Sequence, residues 1–368
     1  MNRHLCQWLM GIVLGSSLLS GVQAAEMPWV RVAEKKTTFE LIPGNQPFEV
    51  WGVNYDHDSQ GRLLEDYWEV EWPMVEAHFA QMEQLGANVV RVHLQLGKFM
   101  SGPETPHAPA LDRLVKLTTL AENHHLYLNL TGLGCYHKAD VPAWYDKLTE
   151  AERWNVQARF WKAVAGRVAA SPAIFCYDLM NEPVVPGGRR QDGDWLGPAF
   201  AGKHFVQCIT LDQAERPRPQ IAKQWIHHLV TAIREVDQRH LITVGLVDWS
   251  LDRPGLTSGF VPDQVAKDLD FLCVHIYPER DKQQAALETL QGFAAVGKPV
   301  VIEETFPLKC STPELLKFLD AAKPHSAGTI SFYWGQPAAE LRKSNTIQGA
   351  MVGEWLEAFE KRSKAAKP

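Results

Sequence analysis

The chain has little cysteine and no block of charge of one sign. Six Cys stand among 368 residues, and no C-x-x-C pair occurs, so neither a disulfide scaffold nor a paired-thiol zinc site organises the fold. Lys and Arg number 37 against 43 Asp and Glu, for a formal charge of -6. With no long Lys/Arg run there is no clustered basic surface of the kind a phosphate polymer needs, which excludes nucleic acid as the main partner. Low-complexity segments, linkers and internal repeats are absent too. After the first 25 residues no apolar run approaches the roughly 20 residues needed to cross a bilayer. Disorder and collagen-like structure are excluded by a composition that is 45% hydrophobic and 22% charged, which supports a large core. Tryptophan, in contrast, is abundant at 13 residues. That excess suits either an aromatic core or a sugar-binding cleft.

The N-terminus carries Arg3, an apolar run from about Trp8 to Leu19, and small residues with Val22 and Ala24 at positions -3 and -1 of a cleavage site. This is the pattern of a secretory signal peptide over residues 1–24, and its run is too short for a membrane anchor. A secreted or periplasmic protein is the expectation. Cys6 leaves with the leader, so Cys135, Cys176, Cys208, Cys273 and Cys310 remain. An odd count leaves at least one free thiol, and Cys176 and Cys273, set in apolar runs, read as buried small hydrophobes.

Eight short apolar runs bounded by Gly, Pro or Asn recur along the chain: 48–55, 87–95, 126–134, 174–182, 241–249, 271–278, 299–306 and 328–335. Between them lie stretches of helical spacing at 73–85, 111–124, 152–170, 220–239, 282–295, 312–322 and 351–361. Near-continuous apolar strands alternating with amphipathic helices specify a parallel sheet covered on both faces, and eight units predict a closed (β/α)8 barrel. An open doubly wound sheet would carry a Gly-rich phosphate turn after its first strand, where Asn54-Tyr55-Asp56-His57 stands instead. Residues 25–368 are therefore expected to form one barrel domain. The stretch 184–219, rich in Gly, Pro and charge, is expected to be a mobile loop over the mouth, with Trp195 and Phe200 contacting ligand.

In such a barrel the reactive side chains stand at the C-terminal ends of the strands. There the runs carry Arg91 and His93, Asn181 and Glu182, His275 and Tyr277, Glu303 and Glu304, and Trp334. Carboxylates on the fourth and seventh strands face each other across the mouth, the arrangement that glycoside hydrolysis needs. A metal-dependent hydrolase would need more His and Asp ligands than His93 and His275, and the first strand holds no His-x-His. No metal or cofactor is expected.

The motifs GANVVRVHLQ, YDLMNEP, HIYP, KPVVIEETF and FYWG, in this order, resemble glycoside hydrolase family 5, the retaining cellulase and β-mannanase family. The resemblance covers essentially the whole mature chain. It implies that Glu182 is the acid/base and Glu304 the nucleophile, with carboxyl groups about 5 to 5.5 Å apart. Glu304 is preferred to Glu303 because the family nucleophile stands two residues before the position of Phe306, and because strand neighbours point to opposite faces. The resemblance further implies that Arg91 keeps the nucleophile ionised, Asn181 binds the sugar 2-hydroxyl, Tyr277 orients the nucleophile, His275 shapes the pocket and Trp334 floors the adjoining subsite. A β-linked glucan, mannan or derived oligosaccharide is the implied substrate. Two departures stand out: Thr131 replaces a His common at the end of the third strand, and Thr-Phe-Pro follows Glu304 in place of aromatic-Gly. A catalytically inactive sugar-binding barrel would be expected to have lost one of the two glutamates, and both are present.

Overall fold

A computed structural model describes residues 27–254, 257–333 and 335–366. The expected leader, 1–24, lies outside them. Eight parallel strands close on themselves. They are β1 (Val50–Tyr55), β2 (Val89–Gln95), β3 (Tyr127–Gly134), β4 (Ile174–Asn181), β5 (Leu241–Val247), β6 (Leu272–His275), β7 (Val300–Thr305) and β8 (Gly328–Phe332). Each coincides with one of the apolar runs. Closure comes from β8 pairing with β1, in register from Gly328↔Val50 to Phe332↔Asn54. Gly328 has φ +138°, and a Cβ there would stand 2.1 Å from the Val50 carbonyl oxygen, so only glycine lets the last strand approach the first.

The main helices around the barrel are α1 (Trp72–Gln84), α2 (Ala108–Asn123), α3 (Glu150–Val168), α4 (Arg218–Arg234), the single turn α5 (Pro262–Val265), α6 (Gln283–Ala294), α7 (Thr312–Ala322) and α8 (Ile347–Ala366). Their starts are written in the sequence. Thr149 with Glu152 and Ser311 with Glu314 form capping boxes at α3 and α7, and Pro stands in the first turn of α1, α2, α4 and α7, where its missing N–H breaks no helical bond. The apolar stripes of the helices pack on the outside of the barrel, as with Phe160, Trp161 and Val164 of α3 and Trp225 and Leu229 of α4.

Three short antiparallel strands, Trp29–Val32, Phe39–Ile42 and Gln46–Phe48, precede the barrel. Phe39 meets Phe175 and Phe271 edge-on, each at 5.2 Å between ring centroids, and Phe48 meets Tyr127 at 5.1 Å. These partners stand at the N-terminal ends of β4, β6 and β3. The small sheet therefore plugs the bottom of the barrel and leaves the opposite end for chemistry.

Much of the tryptophan among the described residues goes into packing. Trp68, Trp161, Trp195, Trp225 and Trp355 are among the largest fully buried side chains. Trp195 corrects the expectation placed on the 184–219 stretch. It is buried, stacks under the Arg153 guanidinium at 4.2 Å and donates to the Asp146 carbonyl at 3.2 Å, so it presents no face to a ligand. Nor is the stretch an unstructured loop. Pro183–Val184 pairs in parallel with Gln207–Cys208, and backbone bonds tie it to its surroundings, among them Val185 N–H to Ser258 O at 2.8 Å and His204 N–H to Tyr136 O at 2.8 Å. All five described cysteines are buried and unpaired.

Candidate active site

Every expected site residue among those described stands at the C-terminal end of the barrel, and Trp334 lies outside the described residues. Glu182 follows β4 with φ +46°, a left-handed conformation unusual for a side chain of this size. Its N–H is held by the Gly245 carbonyl at 3.0 Å, opposite a register shift in the β4–β5 pairing. Such strain costs on the order of 1 to 3 kcal/mol and persists where surrounding structure fixes it, most often at functional sites. Here it turns the strand end so that the carboxyl looks over the mouth.

Arg91 on β2 is wholly buried and serves as the hub. One terminal nitrogen donates to Glu304 Oε1 at 2.6 Å and Asn54 Oδ1 at 3.0 Å. The other donates to Asp178 Oδ2 and Asn181 Oδ1, each at 2.9 Å, and Nε lies 3.5 Å from Glu303 Oε1. Burial alone would lower the Arg91 pKa, but Glu303, Asp178 and Glu304 outweigh it and push it well up, so the guanidinium stays charged. Tyr277 donates to the second Glu304 oxygen at 2.8 Å. Its own pKa is raised by burial and by the Glu304 charge, which keeps it a neutral donor. Glu304 thus receives one charged and one neutral donor, a different one on each oxygen.

His275, expected only to shape the pocket, touches three carboxylates. Nδ1 stands 2.9 Å from Glu182 Oε1 and 3.5 Å from Glu304 Oε2, and Nε2 stands 3.3 Å from Glu303 Oε2. Burial would lower its pKa, yet Glu304 with the Glu182 and Glu303 hydrogen bonds raises it to about 10. The ring is an imidazolium that donates on both sides. An oxygen of Glu182, one of Glu304 and a nitrogen of His275 all lie within 4.8 Å of one another, a spacing that could hold a cation.

Strand alternation predicts that only one of Glu303 and Glu304 faces inward, and the structure corrects this. Glu303 is fully buried, accepts from Asn129 at 2.6 Å and reaches Arg91 and His275. The pairing of β7 shifts register on both sides, between Val274 and His275 opposite and between Ile302 and Thr305. Both glutamates therefore turn toward the axis. Burial raises the Glu303 pKa, but Arg91 and His275 overcome it and hold it well below the ordinary range. Asp178, whose burial and Glu303 neighbour dominate, is pushed up to about 6. Thr131 takes a role of its own and donates to Asp178 Oδ2 at 2.7 Å. His93 makes a short contact with the Tyr136 hydroxyl and lies 3.4 Å from Asn54 Oδ1; burial and Arg91 lower its pKa to about 3 and keep it neutral. Asp178, Asn129 and Asn54 were missed as site residues from the sequence and Glu303 was set aside in favour of Glu304, although polar side chains inside apolar strands were the available signal.

Above these groups opens a cleft of about 750 Å3. Glu182, Glu304 and Tyr277 stand at its floor, Asp56, His57, Lys203 and Gln348 supply its other polar side chains, and no described lining residue is Trp.

The model of the cellulase family, glycosyl hydrolase family 5, matches residues 44–336. The chain belongs to this family. Among curated relatives, mannan endo-1,4-beta-mannosidase A of Podospora anserina is 27% identical over 177 residues, 44% of this chain and 38% of the relative. The enzyme of that name from Hypocrea jecorina is 24% identical over 272 residues, 65% of this chain and 54% of the relative. The chain thus spans only about two fifths to half of these relatives. An exo-beta-1,4-mannosidase from an Opitutaceae bacterium has a similar fold, with a TM-score of 0.66 at 16% identity, covering 91% of this chain and 62% of that one. A beta-1,4-D-mannanase from Cryptopygus antarcticus gives 0.63 at 15% identity, covering 91% and 94%.

Proposed function

We propose that this protein hydrolyses β-linked glycosides with retention of anomeric configuration, and that β-1,4-mannan or its oligosaccharides are the substrate class. The observation that carries the mechanism is the approach of Glu182 and Glu304. Oxygens of the two lie within 4.8 Å, too close for the water that an inverting pair, about 6.5 to 9.5 Å apart, must hold between its carboxyls. Glu304 attacks the anomeric carbon while Glu182 protonates the departing glycosidic oxygen, and the carbon–oxygen bond to the leaving sugar breaks. Glu182, now ionised, removes a proton from water, which displaces Glu304 and frees the sugar. Arg91 and Tyr277 each donate to one Glu304 oxygen and so orient the carboxylate for attack. Asn181 accepts from Arg91 and gives one amide hydrogen to the Phe205 carbonyl at 3.1 Å, leaving the other for a sugar hydroxyl.

Mannan is favoured over glucan by the names of the curated relatives. Removal of residues 1–24 on export completes the reading, so mass spectrometry of exported protein should find Ala25 at its N-terminus. The mechanism is tested with Glu304→Gly. Turnover should vanish, and azide should restore product as the glycosyl azide of inverted configuration, while wild-type enzyme first releases the retained anomer. Release of the inverted anomer by the wild type, or azide rescue in Glu303→Gly in place of Glu304→Gly, would overturn the assignment.

A further inference from the structure

The insertion between β4 and α4 delivers a cation to the cleft that the chemistry above does not use. At its tip Phe200 and Lys203 bond to each other in both directions, N–H to O at 2.8 and 3.0 Å. The two residues between, Ala201 and Gly202, have φ +49° and +79°. Positive φ at both central positions makes a type I′ turn, which matches the twist of a two-residue hairpin and sets the two flanking side chains side by side. Phe200 remains 67% exposed at the rim, whereas Lys203 is only 8% exposed and lines the cleft. Among the described residues its ammonium makes no hydrogen bond and has no carboxylate within 4 Å, although its charge helps hold the buried Asp56 ionised. The ammonium therefore keeps its donors for a ligand that enters the cleft.

Lys203 also closes the cleft. Its Nζ lies 3.6 Å from where a Cβ on Gly61 would stand, so the hairpin from β4 reaches the turn that follows β1. Asp56 follows β1 directly, is buried, and is paired with His57 at 2.8 Å. At that wall an acceptor, Asp56, and a donor, Lys203, line the same cleft as Glu182 and Glu304. A sugar hydroxyl needs such a pair, since it both donates and accepts, whereas a sugar carboxylate would meet the charge of Asp56. Leu308 and Ile347, which also line the cleft, are exposed, so a chain that runs out past them would leave its terminal sugar against the wall.

We propose that Lys203 and Asp56 grip neighbouring hydroxyls of the nonreducing terminal sugar, which makes Lys203 a specificity-determining residue for chain-end attack on a neutral β-glycoside. This inference rests on the glycosidase reading. It is tested with 4-nitrophenyl β-D-mannopyranoside and its 3-deoxy and 4-deoxy analogues. Lys203→Met, which keeps the length of the stem, should lower kcat/KM on the parent glycoside by about ten- to a hundredfold, mostly through KM, the range expected for losing a hydrogen bond from a charged donor. Lys203→Arg should recover part of the loss, and on one of the deoxy analogues wild type and Lys203→Met should be equal. Mannohexaose should yield mannose as the first product of the wild type. An unchanged parent rate in Lys203→Met, an equal loss on the parent and both analogues, or internal cleavage of mannohexaose would overturn the inference while loss of all activity in Glu304→Gly preserved the glycosidase reading. A wild type that turned over no β-glycoside would overturn both.

Discussion

Arg91 and His275 are the two cations set among Asp178, Glu303, Glu304 and Glu182, and each holds more than one acid. The arrangement ties stability to pH with a definite sign. The His275 pKa in the folded state, about 10, lies above its ordinary value of 6.5. Its stabilising contribution is therefore fully present below about pH 6.5 and is lost as pH rises through about 10. The urea midpoint of the wild type should fall across this window, and His275→Asn should flatten that fall. An equal slope in the variant would assign the dependence to other groups. Arg91, Glu182 and His275 were legible in the sequence because each is a polar residue within or at the end of an apolar run. Glu303 was not, because its inward turn depends on register shifts with β6 and β8, a property of pairing that no single strand carries.

At the scale of elements, the insertion after β4 divides into a packed base and a projecting tip. Trp195, Leu196, Gln207 and Cys208 of the base are buried, and Trp154 donates to the Ile209 carbonyl at 2.7 Å. Replacing the whole stretch would strip this packing and expose the side of the barrel. A cut limited to the tip avoids that cost. Deleting 200–203 and joining Ala199 to His204 through two glycines should leave the protein folded and raise its activity on mannan relative to mannotriose, because the wall against Gly61 is removed. An unchanged ratio in a folded variant would show that the tip does not limit access to the chain interior. Composition marked this segment as functional but not which residues face the cleft, since Gly and Pro spacing says nothing about the bridge between Leu196 and Gln207 that buries Trp195.

On the scale of the whole molecule, the barrel separates a face for chemistry from a face for stability. The alternation of apolar strands and amphipathic helices made the eight units readable, because both faces of each strand are covered and each helix needs a stripe. The plug at 29–48 was not readable: its strands are three or four residues long and partly exposed, so they show neither a continuous apolar run nor a clear alternation. The plug nonetheless anchors the bottom. Phe39 is 1% exposed and sits between Phe175 and Phe271, at the entry to β4 and β6, while Glu182 and His275 stand at the far ends of those strands. Phe39→Ala removes two edge-on ring contacts and leaves a cavity, which in a core of this kind costs about 3 to 5 kcal/mol. The loss should appear as a lower midpoint in urea. Below that midpoint kcat should match the wild type, because the length of β4 and β6 lies between the cavity and the carboxylates. A kcat that fell in step with stability would mean that the plug sets the geometry of the mouth as well as holding the base together.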